Sequence, residues 1–164
     1  RDRNYKIEGI MNEKIEQAIN EQINNEIWSA NLYLSLQAYF ERQQLTILSF
    51  WLGLQAQSNM ERVYKMLQQL YSHGGCVTID KICRKPENWI SPQIALNKLI
   101  EHERYMAEQI RCLLFLSQHI DTSLYMFINQ LYSHRVYVTN IFMELLHILA
   151  KESRGYFYLN ADNH

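Results

Sequence analysis

The sequence predicts an all-α fold, one four-helix bundle whose second and third helices are joined by a single long crossover. Two observations carry this: where the helix-breaking residues fall, and how the apolar residues are spaced between them. The chain has only five Gly and two Pro in 164 residues, and four of these seven, Gly74, Gly75, Pro86 and Pro92, lie in one short stretch. From Ile10 to His73 the only breaker is Gly53, and from Gln93 to Arg154 there is none. Long helices on either side of one loop are the economical reading.

The first helix carries Ile15, Ile19, Ile23, Glu26, Ala30, Tyr33 and Gln37 in steps of three and four, which is one helical face. Glu26 therefore belongs to the apolar stripe. The second helix is predicted from about Leu45 to His73, closed by the His73-Gly74-Gly75 turn, since glycine takes the left-handed C-terminal conformation at little cost. Ser91 followed by Pro92 is an N-cap with Pro at the first helical position, so the third helix runs from Pro92 to about His119. The fourth starts at Asp121 or Thr122 and ends near Ala150. The short gaps near Gln43 and Ile120 make helices one and two, and three and four, antiparallel neighbours. The connection from Gly74 to Ser91 reaches roughly 60 Å when extended. A second helix of that length spans about 43 Å, so the crossover can run the length of the bundle and leave helices two and three parallel. Residues 1–10 read as an N-terminal extension, 11–154 as the bundle, and 155–164, with Gly155-Tyr156-Phe157-Tyr158-Leu159, as a short C-terminal fifth segment.

Composition narrows the function. Sixteen basic against seventeen acidic residues give a net charge of -1, so no overall field favours nucleic acid or anionic lipid. No apolar run reaches the length of a membrane span, and the charged opening residues do not resemble a signal peptide. Cys76, Cys83 and Cys112 form neither a CxxC pair nor an even-numbered framework, which fits a reducing cytoplasm. His73, Cys76 and Cys83 do not have zinc-finger spacing and read as loop packing rather than a metal clip. No nucleophile and base constellation is present, so no catalytic residue is assigned. Trp28, Tyr39, Trp51, Tyr64 and Tyr71 suit subunit contacts as readily as core.

Several segments resemble the bacterial non-haem ferritins over nearly the whole chain after Met11. Asn20-Glu21-Gln22-Ile23-Asn24-Asn25-Glu26 resembles the start of that family's first helix, with Tyr33 where the family has a tyrosine beside its iron site. The crossover from Ser72 through Gly74, Gly75, Pro86, Trp89, Ser91 and Pro92 has the family's glycine pair and closing Trp-x-Ser-Pro, and Glu101-His102-Glu103 resembles the Glu-His-Glu of its third helix. The resemblance implies a ferritin-like bundle, iron storage in the cytoplasm, and assembly as a homo-oligomeric cage of 24 subunits, which could include an active ferritin subunit. Met60 lies where haem-binding relatives carry methionine, but non-haem relatives have Met there too, so no haem is expected.

The resemblance fails at the di-iron centre that such bundles use, which takes a Glu from each of two helices and Glu-x-x-His pairs, or close variants, from the others. Glu26 and Glu103 keep their positions, but the second-helix ligands are replaced by Asn59 and Arg62. On the fourth helix the ligand positions align with His134 and Val138. Two carboxylates and one guanidinium leave about -1 against the +4 of two Fe(II) ions. A guanidinium about 4 Å from a divalent ion is repelled by roughly 8 kcal/mol at an effective dielectric of about 20. The favoured expectation is an ion-pair layer in which Arg62 lies between Glu26 and Glu103 and the ferroxidase site is lost. The alternative is a remnant metal site of Glu26, Glu103 and His134, in which His134 supplies one nitrogen to a single Zn(II) or Fe(II) ion, iron being the metal the family resemblance implies. For function, the expectation is an iron-storage shell subunit. The alternative is a structural or regulatory cage or dimer without iron storage, favoured by the amide-rich first two helices, where Glu41 and Glu61 are the acidic residues between Ala30 and Leu70.

Overall fold

The computed structural model describes residues 11–83 and 89–161. Four helices follow one another: α1 (Glu13–Arg42), α2 (Thr46–Ser72), α3 (Pro92–Ser117) and α4 (Thr122–Ala161). The predicted starts of α2, α3 and α4 lie within a residue or two of the observed ones, and three of the four helices carry a capping side chain at their head. Asn12 caps α1 by accepting from the Lys14 amide at 2.9 Å, Ser91 caps α3 by accepting from Ile94, and Asp121 accepts from the Leu124 amide at 2.7 Å at the head of α4. At the end of α2, Gly74 takes φ 70°, and the amides of Gly74 and Gly75 return to the carbonyls of Tyr71 and Leu70. That is the left-handed glycine closure the sequence predicts. The α1–α2 turn uses the same hydrogen-bond pattern with Gln44 at φ 59°, a left-handed non-glycine residue.

The fourth helix departs from expectation. It continues as α-helix through Gly155 to Ala161 instead of ending near Ala150 and giving way to a separate fifth segment. One glycine inside a helix costs only about 1 kcal/mol, too little to stop a helix that has no other breaker.

Two apolar clusters fill the bundle. One joins the C-terminal half of α1 to the N-terminal halves of α2 and α3 and to Val138 and Phe142 of α4. The other joins the N-terminal half of α1 to Val63, Met66 and Leu70 of α2, Ile110 and Leu113 of α3, and Leu124, Ile128 and Leu131 of α4. This register makes α1 antiparallel to α2, α3 antiparallel to α4, and α2 parallel to α3. The crossover does traverse the bundle.

Its first stretch is held to α1 by two asparagines one turn apart. Asn20 donates to the Cys76 carbonyl and accepts from the Thr78 amide, both at 2.8 Å. Asn24 donates to the Thr78 carbonyl and accepts from the Asp80 amide, both at 2.9 Å. Each primary amide offers one donor and one acceptor to an extended backbone, as a neighbouring strand would. At the far end Trp89 packs on the first cluster. Cys76 and Cys83 are exposed, and His73 shares a hydrogen bond of 2.8 Å with the Gln69 carbonyl.

Candidate functional site

Between the two apolar clusters lies a buried polar layer to which all four helices contribute. Helical spacing explains it. On α1, Glu26 continues the stripe of Ile15, Ile19 and Ile23; on α2, Asn59 and Arg62 continue that of Leu52, Ala56, Val63 and Met66; on α3, Glu103 lies between Leu99 and Met106. On α4 the inward series is Leu124, Ile128, Leu131, Arg135, Val138 and Phe142. Arg135, 1% exposed, is the residue of that series at the level of the two glutamates.

Arg135 lies between them. Its Nη2 donates to both oxygens of Glu26 at 3.0 and 3.1 Å, and its Nη1 donates to both oxygens of Glu103 at 3.3 and 3.1 Å and to the Tyr33 hydroxyl at 3.3 Å. A planar guanidinium with donors on two edges suits two facing carboxylates. Arg62 approaches Glu26 from α2, its Nε donating to Oε2 at 3.1 Å while Nη2 bonds Asn59. Asn59 in turn donates to the Glu26 main-chain carbonyl at 3.3 Å, and Gln22 donates to the Glu26 carboxylate at 3.1 Å. Thr139 donates to Glu103 at 3.3 Å. The Nε of Arg135 is buried without a partner.

Two expectations are corrected here. The guanidinium between Glu26 and Glu103 belongs to Arg135, not Arg62, which pairs with Glu26 alone. His134 does not face the layer: it is exposed and lines a cleft between α2 and α4. Adjacent helical residues point about 100° apart, so the inward place of Arg135 turns His134 outward. Val138 is a core residue, 3% exposed. The inward 4-3-4-3-4 spacing of α4 was the signal for Arg135. His102, also buried, shares a hydrogen bond of 2.7 Å with Ser29 and faces Trp28 at 4.9 Å between ring centroids.

Two carboxylates and two guanidiniums balance, so the layer is formally neutral. The two carboxylates nevertheless differ. Burial pushes Glu26 upward, but Arg135 and Arg62 together outweigh it and hold the carboxyl below its ordinary value. Glu103 has only Arg135, and burial prevails, so its carboxyl is raised. Burial, then the like charge of Arg135, lowers Arg62, with Glu26 opposing. Burial also disfavours the charged Arg135, but its two carboxylate partners prevail and raise it. Among the described residues no three His, Cys, Asp or Glu side chains converge as a group able to hold a metal ion.

A crossed four-helix bundle with one long connection and a glutamate on each of α1 and α3 at mid-height defines the class of the ferritin-like bundles. The family model for the ferritin-like domain matches residues 16–147, and the chain belongs to that family. Over 104 residues it is 38% identical to a bacterial non-heme ferritin of Bacteroides fragilis, a match covering 63% of this chain and 65% of that protein. It is 22% identical over 157 residues to a probable bacterial non-heme ferritin-like protein of Haemophilus influenzae, covering 93% and 95% of the two chains. Among solved structures, an open pore ferritin from Archaeoglobus fulgidus superposes with a TM-score of 0.79 at 29% identity, covering 93% of this chain and 95% of that one. No helix among the described residues is long and apolar enough to cross a membrane.

Proposed function

We propose that this chain is an iron-storage shell subunit in which an internal ion-pair layer stands where its relatives hold a di-iron centre. The observation that carries the reading is Arg135, whose guanidinium lies within 3.0 to 3.3 Å of both carboxylates that would otherwise be ligands. The donor set does not fit a pair of iron ions. Glu26 and Glu103 are already neutralised, Asn59 and Arg62 add no anionic donor, and a divalent ion would meet two cations at close range. Iron is therefore cargo for the shell and not a substrate oxidised inside this bundle. Family membership supports a closed cytoplasmic cage of 24 subunits, either homo-oligomeric or mixed with a subunit that oxidises iron.

The second reading, a cage or dimer without iron storage, is favoured by one feature of α2. Glu61 is its sole acidic residue, a sparse endowment for a wall that nucleates mineral. Stopped-flow absorbance after adding about two Fe(II) per subunit in air, followed by light scattering and iron analysis of the loaded protein, tests both readings. Oxidation no faster than in buffer, a monodisperse cage and retained iron are expected. A rapid saturable phase abolished by Glu26→Ala would contradict the loss of the centre, a monomer would contradict the shell, and a cage that retains no iron would favour the second reading.

A further inference from the structure

Outside the buried layer, α2 and α4 enclose a cleft of about 240 Å³ lined by Ser58, Glu61, Arg62, Lys65, Gln130 and His134, with Phe127 and Leu131 at its apolar edge. A water molecule occupies roughly 30 Å³ of liquid, so the cleft has room for a small hydrated ion. Arg62 closes its inner end. The side chain is 7% exposed, and two of its three guanidinium nitrogens are committed inward, Nε to Glu26 and Nη2 to Asn59. The third, Nη1, has no partner among the described residues and is not among the fully enclosed orphan atoms, so it is left for the cleft. A charged group this deep with an unused donor invites an acceptor. Lys65 and His134, both exposed, stand at the mouth, and Ser58 and Gln130 add neutral donors.

We propose that this cleft binds a tetrahedral oxyanion of the inorganic phosphate class, held by Arg62 Nη1 at its base and by Lys65 and His134 at its rim. Partial burial first, then Arg62, Arg135 and Lys65, hold the His134 imidazole below its ordinary value, against the opposing pull of Glu26, so it meets the anion as a neutral N–H donor while Arg62 and Lys65 supply the positive charge. Glu61 is the single acidic residue on the lining and accepts from Gln57 at 3.4 Å, so it sets a limit on affinity. Phosphate fits this donor set better than a carboxylate does, because its several oxygens can accept from base and rim at once. The inference is independent of whether the shell stores iron.

Isothermal titration of the assembled protein with inorganic phosphate, at constant ionic strength in sodium chloride, tests it. Saturable binding with a Kd of about 1 mM or tighter is expected. Lys65→Gln should weaken it about tenfold and His134→Ala, which removes a neutral donor, about threefold, while Glu61→Gln should strengthen it severalfold, since removing the one carboxylate relieves repulsion. Lys65, His134 and Glu61 are exposed, so these variants leave the buried layer intact. Arg62→Lys, which keeps the charge but loses the spare fork nitrogen, should bind less tightly than the wild type even where it folds normally. Absence of saturable heat, or binding unchanged in both rim variants, would overturn the assignment, and so would Glu61→Gln binding more weakly than the wild type.

Discussion

The crossover and the mid-bundle layer both join elements distant in sequence through polar side chains, and they do so in opposite ways. Along the crossover, Asn20, which is buried, and Asn24, which is partly exposed, hold a backbone against α1 with neutral amides. In the layer, Glu26, Glu103, Arg62 and Arg135 hold one another as charged groups buried in the bundle interior. Removing a neutral hydrogen-bond partner is expected to cost less than removing one ion from the buried cluster, which strands its counter-charges. Even within the layer the two arginines differ, because Arg135 bridges two carboxylates and Arg62 serves one.

The largest effect is expected for Arg135→Ala, which leaves Glu103 without a cationic partner and Glu26 with only one. Urea unfolding should show a loss of about 3 to 5 kcal/mol. Arg62→Ala should cost less, about 1 to 3 kcal/mol, since Glu26 keeps both bonds to Arg135. If the two losses come out equal, the bridge is not the centre of the layer. Asn20→Ala should cost about 0.5 to 1.5 kcal/mol, and hydrogen exchange should quicken at the Thr78 amide and leave the layer protected.

The smallest signal is the acid response of the layer, because its carboxylates oppose each other. Glu26 is depressed in the fold, so its contribution is present above the usual value near 4.5 and is lost as the pH falls through its lower folded value. Glu103 is raised, so its ionisation costs stability at neutral pH, and that cost is relieved as the pH falls toward 4.5. Glu103→Gln should therefore steepen the acid loss, and Glu26→Gln should flatten it. Urea midpoints measured from about pH 7 down to pH 4 separate the two; parallel profiles for both variants would show that the asymmetry is absent.

Much of this molecule was legible from residue chemistry. Ser91 and Gly74 act locally, so the helix ends they set follow from the adjacent sequence, and the clustering of glycine and proline located the crossover. Glu26 was legible as inward because it continues the rhythm of Ile15, Ile19 and Ile23. Arg135 was hidden by the resemblance, which drew attention to its neighbour His134 as the ligand position, although the spacing of Leu124, Ile128, Leu131, Val138 and Phe142 places residue 135 inward. The Asn20 and Asn24 latch was illegible for a different reason: asparagines one turn apart on a helix have no signature until an extended backbone is known to run beside them. The extent of α4 beyond Ala150 was illegible because the aromatic segment from Gly155 reads as a separate tail, whereas a lone glycine is a weak helix breaker.

The central claim is that the Arg135 guanidinium holds the place between Glu26 and Glu103 that an iron pair would need. Diffraction from crystals exposed to Fe(II), recorded at the iron absorption edge, tests it most directly. The account predicts no anomalous peak between the two carboxylates and a guanidinium bonded to both. An iron peak ligated by Glu26 and Glu103, with Arg135 swung away, would contradict it.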